Sequence, residues 1–429
     1  MATFSYALRH VKDNLEQCLP RDFIFETCRQ IGHTWRTCTL TPDVSVHVLL
    51  VQLLADVALR GVNRVAHVNK TFQAIGKARA RLPLKLFERL VQQVLPTDFS
   101  ATTTYKGLKV YLADGMSFVV DDVAELRRKF GKSTNQRGVS RGYPTPKLLT
   151  LMQAGAGFIG KTIILPYARQ EFTCLSRLFK SIGKDSLLLG DRGLVSFAHL
   201  ALLIGQGTHG CFRLPRTRVV RGRGKGCRRL KKRLGRQDLL VEWSATQRPT
   251  WMSKKRWEKI AGQTLALRQI SFRICRKGFR TQWAWIITTL LDPREYPAQE
   301  LIDLYTERWQ IEVHFRDLKC TLNMTKISAR TIKGVQKEVM AFILLYNLIR
   351  RVMQQAAGQQ GVTPDRISFT DAMLWLLHSE PGTALPKLIV NPLRERATQP
   401  RRLKKGRHRF PQLNESRAEA CKPRCQAKI

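Results

Sequence analysis

The chain has 429 residues, 43% of them hydrophobic, which is enough to fill a sizeable core and too many for a broadly disordered protein. Lys and Arg number 74 against 32 Asp and Glu, a formal net charge of +42, and a field of that size calls for a polyanionic partner, most commonly nucleic acid. Ten scattered cysteines without a CxxC pair exclude a disulfide framework and a zinc finger: Cys28, His33 and Cys38 have no fourth ligand at the right spacing.

The opening MATFSYALRHVKDN has no apolar signal core, and the longest apolar run, Val339 to Tyr346, is far below the ~20 residues of a membrane helix. An intracellular protein with reduced thiols is expected. Residues 1 to 100 read as helical. Val44–Val62 is apolar at helical spacing, and Lys77–Leu95 alternates basic residues with an apolar stripe. A basic helical domain there is a plausible reader of DNA ends, although an ordinary helical subdomain has the same pattern.

Strand character begins near Lys109, where LKVYLADG alternates and then stops at Asp114-Gly115. Leu148–Met152 and Thr162–Leu165 are further strands, joined by the turn AGAGFIG. Glu171–Ile182 reads as helix, and Ser186–Leu189 as a buried strand ending in Gly190-Asp191-Arg192-Gly193. A helix over Phe197–Ile204 and a strand over Cys211–Leu214 complete a mixed α/β pattern. From Arg216 to Arg233 there are ten Lys or Arg and no acid, the composition of a flexible arm along phosphates. Leu265–Cys275 and Gln282–Leu291 read as a hairpin around Arg276-Lys277-Gly278. Helix follows from Pro297 past Lys319 and again over Gly334–Gln355. The tail from Arg394, with twelve Lys or Arg against three acids, reads as extended.

The segment YTERWQIEVHFRDLK, 305–319, concentrates the chemistry. On an ideal helix Tyr305, Arg308, Glu312 and Lys319 fall within about 60° of one another. Leu304, Trp309, Ile311, Val313 and Leu318 crowd the other sides, so the polar stripe is expected to face a cleft; an internal Arg308–Glu312 pair is the plainer reading. One carboxylate does not hold two metals. Asp114 and Asp191, each read at a strand end, supply two more, and the three form a hard-oxygen set suited to Mg²⁺. Phosphodiester chemistry requires an activated water or 3′-hydroxyl and a neutralised leaving oxygen, which two metals ~3.5–4 Å apart provide. Asp121 and Asp122 are weaker candidates because they follow the strand. No Arg…His-x-x-Arg…Tyr set surrounds Tyr305, so a tyrosine recombinase is excluded.

Asp114-Gly115, Gly190-Asp191-Arg192-Gly193 and the spacing Tyr305-x2-Arg308-x3-Glu312-x6-Lys319 resemble the DDE transposases of the insertion-sequence-four group, with their tyrosine–arginine–glutamate–lysine signature. The resemblance spans about residues 70 to 410, including ARARLP (78–83) and PRRLKKGRHRFP (400–411). It implies a ribonuclease-H-like mixed sheet core with a β-rich insertion, a helical N-terminal domain and a basic C-terminal helical and extended region. It further implies Mg²⁺ dependence, with Mn²⁺ able to substitute, and cut-and-paste movement of a DNA element by a dimer acting on terminal inverted repeats and target DNA in the bacterial cytoplasm. Tyr305 and Arg308 would contact the phosphate beside a flipped base, Lys319 would contact DNA, and Trp285 would stack on the base; Trp283, two residues away, fits the same role. The divisions expected are 1–100, a helical DNA-binding domain; 101–215, the first part of the catalytic core; 216–280, the basic insertion; 281–330, the second part of the core; and 331–429, the C-terminal helical region and tail. A nuclease of the same fold that cuts without joining, and an inactive DNA-binding regulator, are the alternatives.

Overall fold

The computed structural model describes residues 19–66, 68–96, 104–134, 140–274, 282–378 and 383–392. The turn at Arg276-Lys277-Gly278 and the basic tail, PRRLKKGRHRFP included, lie outside the described residues. One body takes in residues up to Phe272 and from Ala284 to Pro392. A second, small unit holds 273–283 and the tail; within it Arg273 lies 5.8 Å from the centre of the Trp283 ring.

The N-terminal part is helical: Arg21–Gln30, Pro42–Leu54, Val62–Val65, Phe72–Arg81 and Leu84–Val94. Every residue of Pro42–Leu54 is buried, in keeping with its near-continuous apolar sequence. The single helix expected to run on to Val62 stops at Leu54, because Asp56 takes a left-handed conformation (φ 50°) and turns the chain. The stretch Lys77–Leu95 is likewise two helices. Pro83 has no amide to donate and holds Leu82 in an extended conformation (ψ 131°), so the helix ends at Arg81.

This break is tied to the long helix Ile332–Gln360. Buried Lys337 donates to the carbonyls of Arg79 (3.3 Å), Ala80 (2.8 Å) and Leu82 (3.1 Å), satisfying the orphan acceptors of the helix end. Arg79 in turn pairs with buried Glu338, which also accepts from the Ser328 amide at 2.7 Å. The ARARLP stretch is thus a clamp between the N-terminal helices and the core.

The core is an 11-stranded sheet. Its first five long strands are β1 (Leu108–Ser117), β2 (Lys147–Gln153), β3 (Ile159–Leu165), β4 (Ser186–Gly190) and β5 (His209–Arg213). Their order is β3-β2-β1-β4-β5, with β2 antiparallel to both its neighbours and β4 parallel to β1 and β5. That order and those directions are those of a ribonuclease-H-like sheet. The central strand β4 is apolar from Leu187 to Gly190 and buried along its whole length because both faces are covered. Leu187 and Leu189 enter the core shared with the long helix, while Leu188 enters the one shared with the helix Phe197–Gly205.

The sheet continues past β5 through β6 (Gly224–Lys225), β7 (Arg228–Gly235), β8 (Asp238–Ser244), β9 (Thr264–Ile274) and β10 (Gln282–Thr288), in the order β6-β7-β8-β9-β10-β5. The basic run Arg216–Arg233 is therefore not a free arm. Its second half pairs with β8 along most of its length, and its Lys and Arg side chains stand on a strand near the sheet edge. Glu171–Ile182 is not one α-helix either: it forms 3₁₀ turns over Glu171–Arg177 and Phe179–Ser181.

The AGAGF turn between β2 and β3 is read by the long helix. Tyr346 donates to Gly157 O (3.1 Å), Asn347 bridges both backbone groups of Ile159, and Arg350 donates to Ala156 O (2.8 Å). Gly157 sits at φ +74°, and a Cβ there would lie 2.6 Å from the His314 ring. The helix that carries Glu312 is braced through this contact. Among the described residues no single helix is long and apolar enough to cross a membrane, and Cys28, Cys38, Cys174, Cys211, Cys227 and Cys320 are free thiols.

Candidate active site

The parallel register of β1 and β4 aligns Ala113 with Gly190, so the next residues, Asp114 and Asp191, leave adjacent strands at the same level. Asp114 does not end its strand as expected: β1 runs on to Ser117 and pairs Asp114 with Thr150 of β2. It is β4 that stops, and the place where its pairing with β1 ends makes the opening. Asp191 begins a turn closed by Leu194 N donating to Asp191 O at 2.9 Å.

The signature segment supplies the third side. It is not one helix. The α-helix Ala298–Glu307 ends at Arg308, a tight turn follows in which the Ile311 and Glu312 amides reach back only three residues, and Gln310–Arg316 resumes before a π-turn over Asp317–Thr321. Tightening and loosening change the rotation per residue, so the uniform phase used to align Lys319 with Glu312 does not hold. Lys319 stands on the π-turn, half-buried and, among the described residues, without an ion pair. Trp309, expected on the buried side, is 40% exposed, because the break turns it outward.

Arg308 sits at the centre. Its guanidinium lies 3.3 Å from Asp114 Oδ2, 3.9 Å from Asp191 Oδ1 and 3.9 Å from Glu312 Oε1. The three carboxylates expected from the sequence thus meet, but around Arg308, which the sequence reading had turned towards DNA. The expected i,i+4 pair with Glu312 is one contact of three. The Arg308 Nε is buried and, among the described residues, has no hydrogen-bond partner. Burial disfavours the charged guanidinium, yet Tyr305, Asp191 and Asp114 outweigh it and hold the group above its usual range.

Burial pushes the Asp114 carboxyl up, the Gly115 amide (2.8 Å) and Arg308 pull it down, and Asp191 and Glu312 push it up again. Tyr305 is buried and donates to Gly190 O at 3.4 Å, which steadies the strand end before Asp191. Trp285 of β10 is half-buried, with Arg216 and Arg221 at 5.9 and 6.0 Å from its ring centre. Trp283 is 42% exposed. Asp121 pairs with Lys326 and Arg330, and Asp122 with Arg127 and Lys132, so both are satisfied within the surface.

Glu171 was missed. A Cβ on Gly115 would fall 2.2 Å from the Glu171 carboxyl carbon, so this fourth carboxylate lies directly over the residue after Asp114. Burial raises its pKa, and Asp114 raises it further. A lone acid in a segment read as helix gave no signal of this.

The donor set fits a divalent cation in chemistry and charge. Three hard carboxylates converge on one positive group, and a single guanidinium leaves two negative charges uncompensated. The side chains point to the guanidinium and not to a common centre, so among the described residues no three are already arranged as a metal-holding group.

A ribonuclease-H-like sheet with acids gathered where its central parallel strands part defines a class of proteins that act on nucleic acid. Residues 105–348 match the transposase DDE domain, and the chain belongs to that family of DNA transposases, enzymes that act on DNA and generally use divalent metal. It is 24% identical over 327 residues to the transposase InsG of insertion sequence element IS4 from Escherichia coli K12, covering 74% of this chain and 70% of that protein. It is 25% identical over 157 residues to a putative transposase InsZ of the same organism, covering 36% and 51%. Among solved structures it is similar to a piggyBac transposase in a synaptic complex with hairpin DNA, at 8% identity and a TM-score of 0.46, over 85% and 79% of the two chains.

Proposed function

We propose that this transposase cleaves DNA at the terminal inverted repeats of a mobile element and joins the freed ends to target DNA by cut and paste. Asp114, Asp191 and Glu312 are the catalytic carboxylates of this reading. They would hold Mg²⁺, or Mn²⁺ in its place, which when bound supplies an activated oxygen nucleophile and neutralises the leaving oxygen. The observation that carries the reading is the convergence of these carboxylates, from β1, from the end of β4 and from the signature helix, on one guanidinium.

Arg308 neutralises the cluster when no substrate is present and offers a planar fork to a phosphate when one arrives. Tyr305 fixes the end of β4 and, with Arg308, borders the phosphate beside an extruded base. Lys319 gives a mobile charge for the strand passing the site. Trp285 is the stacking residue of this reading; its position beneath two arginines puts an aromatic face and phosphate counter-charges together. Residues 1–100 read the element ends, 216–280 form the basic insertion between the two parts of the core, 101–215 and 281–330, and 331–429 are the C-terminal helical region and basic tail. A homodimer holds the two ends together.

The test is a labelled duplex carrying one element end, incubated in Mg²⁺ with target plasmid. Cleaved ends that become joined to the plasmid support the reading. Cleavage without joining reduces the protein to a nuclease, and binding without cleavage to a regulator.

A further inference from the structure

Away from the carboxylates, a cavity of about 140 Å³ opens between the start of the helix Phe197–Gly205 and the insertion strands β7 and β8. Arg218, Arg228, Trp243, Thr246, Gln247 and Trp257 line it, and among the described residues no acidic one does. Neither arginine forms an ion pair among the described residues. Partial burial and then the neighbouring Arg228 disfavour the charged form of Arg218, and the two like charges face one small space.

Both arginines are half-buried; holding guanidinium groups partly out of water without counter-charge is unfavourable, and only part of the demand is met inside the chain. Arg218 donates to Val195 O, and Arg228 lies 5.2 Å from the centre of the Trp243 ring. Trp243 is 2% exposed, and among the described residues its indole Nε1–H has no acceptor. The positive end of the nine-residue helix adds to the same field. Two arginine forks and neutral polar side chains make a set rich in donors and short of an acceptor with negative charge.

We infer that this cavity binds a phosphate group, as a second anion site separate from the carboxylate cluster. The phosphate has two available sources, the backbone of bound DNA and free phosphate or nucleotide. Assignment to DNA rests on the transposase reading; the affinity for phosphate does not.

The test uses the full chain and Arg228→Gln, chosen because Arg228 bonds no backbone group, with Arg228→Lys as a second variant that keeps the charge and loses the fork. Inorganic phosphate titrated into the wild type at constant ionic strength should raise the Tm saturably and change tryptophan fluorescence, and Arg228→Gln should lose both effects. Loss of one charge-assisted contact should lower affinity about tenfold or more. In the second arm, duplex DNA of arbitrary sequence is titrated across a salt series. A log–log salt slope lower by about one in Arg228→Gln identifies the DNA backbone as the source. An unchanged slope beside a saturable phosphate effect identifies free phosphate. If phosphate has no saturable effect and both variants bind DNA as the wild type does, the inference is wrong. The Mg²⁺ cleavage assay is independent of all these outcomes, so failure here and failure of the transposition reading remain distinguishable.

Discussion

Arg308 stands 3.3 Å from Asp114, and the same guanidinium reaches Asp191 and Glu312. A cation already occupies the focus of the acidic cluster. Removing it exposes three carboxylates to one another, so Arg308→Ala should lose about 1–3 kcal/mol of stability in EDTA. Mn²⁺ should restore much of that, and should bind the variant at least as tightly as the wild type because a competitor is gone. Denaturant titrations with and without Mn²⁺ check both. Weaker Mn²⁺ binding by the variant would mean that Arg308 helps to form the metal site instead of competing for it.

Glu171 and Gly115 offer a paired test. Gly115→Ala forces a Cβ into the Glu171 carboxyl and should cost about 1–3 kcal/mol. In a Glu171→Ala background most of that cost should vanish, giving a coupling measurable in a double-mutant cycle. Additive losses would show that the alanine is strained for another reason.

Asp317 provides a pH signature. Burial pushes its carboxyl to about 6, against the partial relief given by Arg316 and Arg350. Its folded pKa is raised, so the stability it confers is fully present below about pH 4 and is lost as pH rises through about 6. Asp317→Asn should therefore be more stable than the wild type at pH 8, by about 2 kcal/mol, with the gap closing towards pH 4. A gap that is independent of pH would contradict this.

Lys337 closes a helix end with three carbonyl contacts. Lys337→Met keeps the length and loses the donors, and should cost about 2–3 kcal/mol as measured by urea unfolding. A cost below 0.5 kcal/mol would place those carbonyls in contact with water.

Asp114, Asp191 and Glu312 were picked out by motif and by local pattern, and the structure brings their side chains together; the strand end read at Asp114 and the single helix read through Glu312 do not hold. The apolar runs marked the strands, but their order is set by pairings between distant segments. The rest depended on tertiary contacts. Periodicity does not register the tight turn at Arg308 that turns Trp309 outward, nor the π-turn beneath Lys319. Composition marked Arg216–Arg233 as phosphate-binding, but pairing with β8 decided that half of it is strand. Glu171 acts across a glycine far away in the chain, and a solitary acid has no pattern to read.

In the proposed reaction Asp114, Asp191 and Glu312 act together on DNA through divalent metal. The most direct measurement is cleavage of an end-bearing duplex in Mg²⁺, beside binding of the same duplex in Ca²⁺, for the wild type and for Asp114→Asn, Asp191→Asn and Glu312→Gln. The account predicts that each variant binds the duplex within a few-fold of the wild type while cleavage falls by at least about a thousandfold, the scale of loss seen when members of a catalytic unit are removed. Cleavage persisting near the wild-type rate in any one of the three would contradict it.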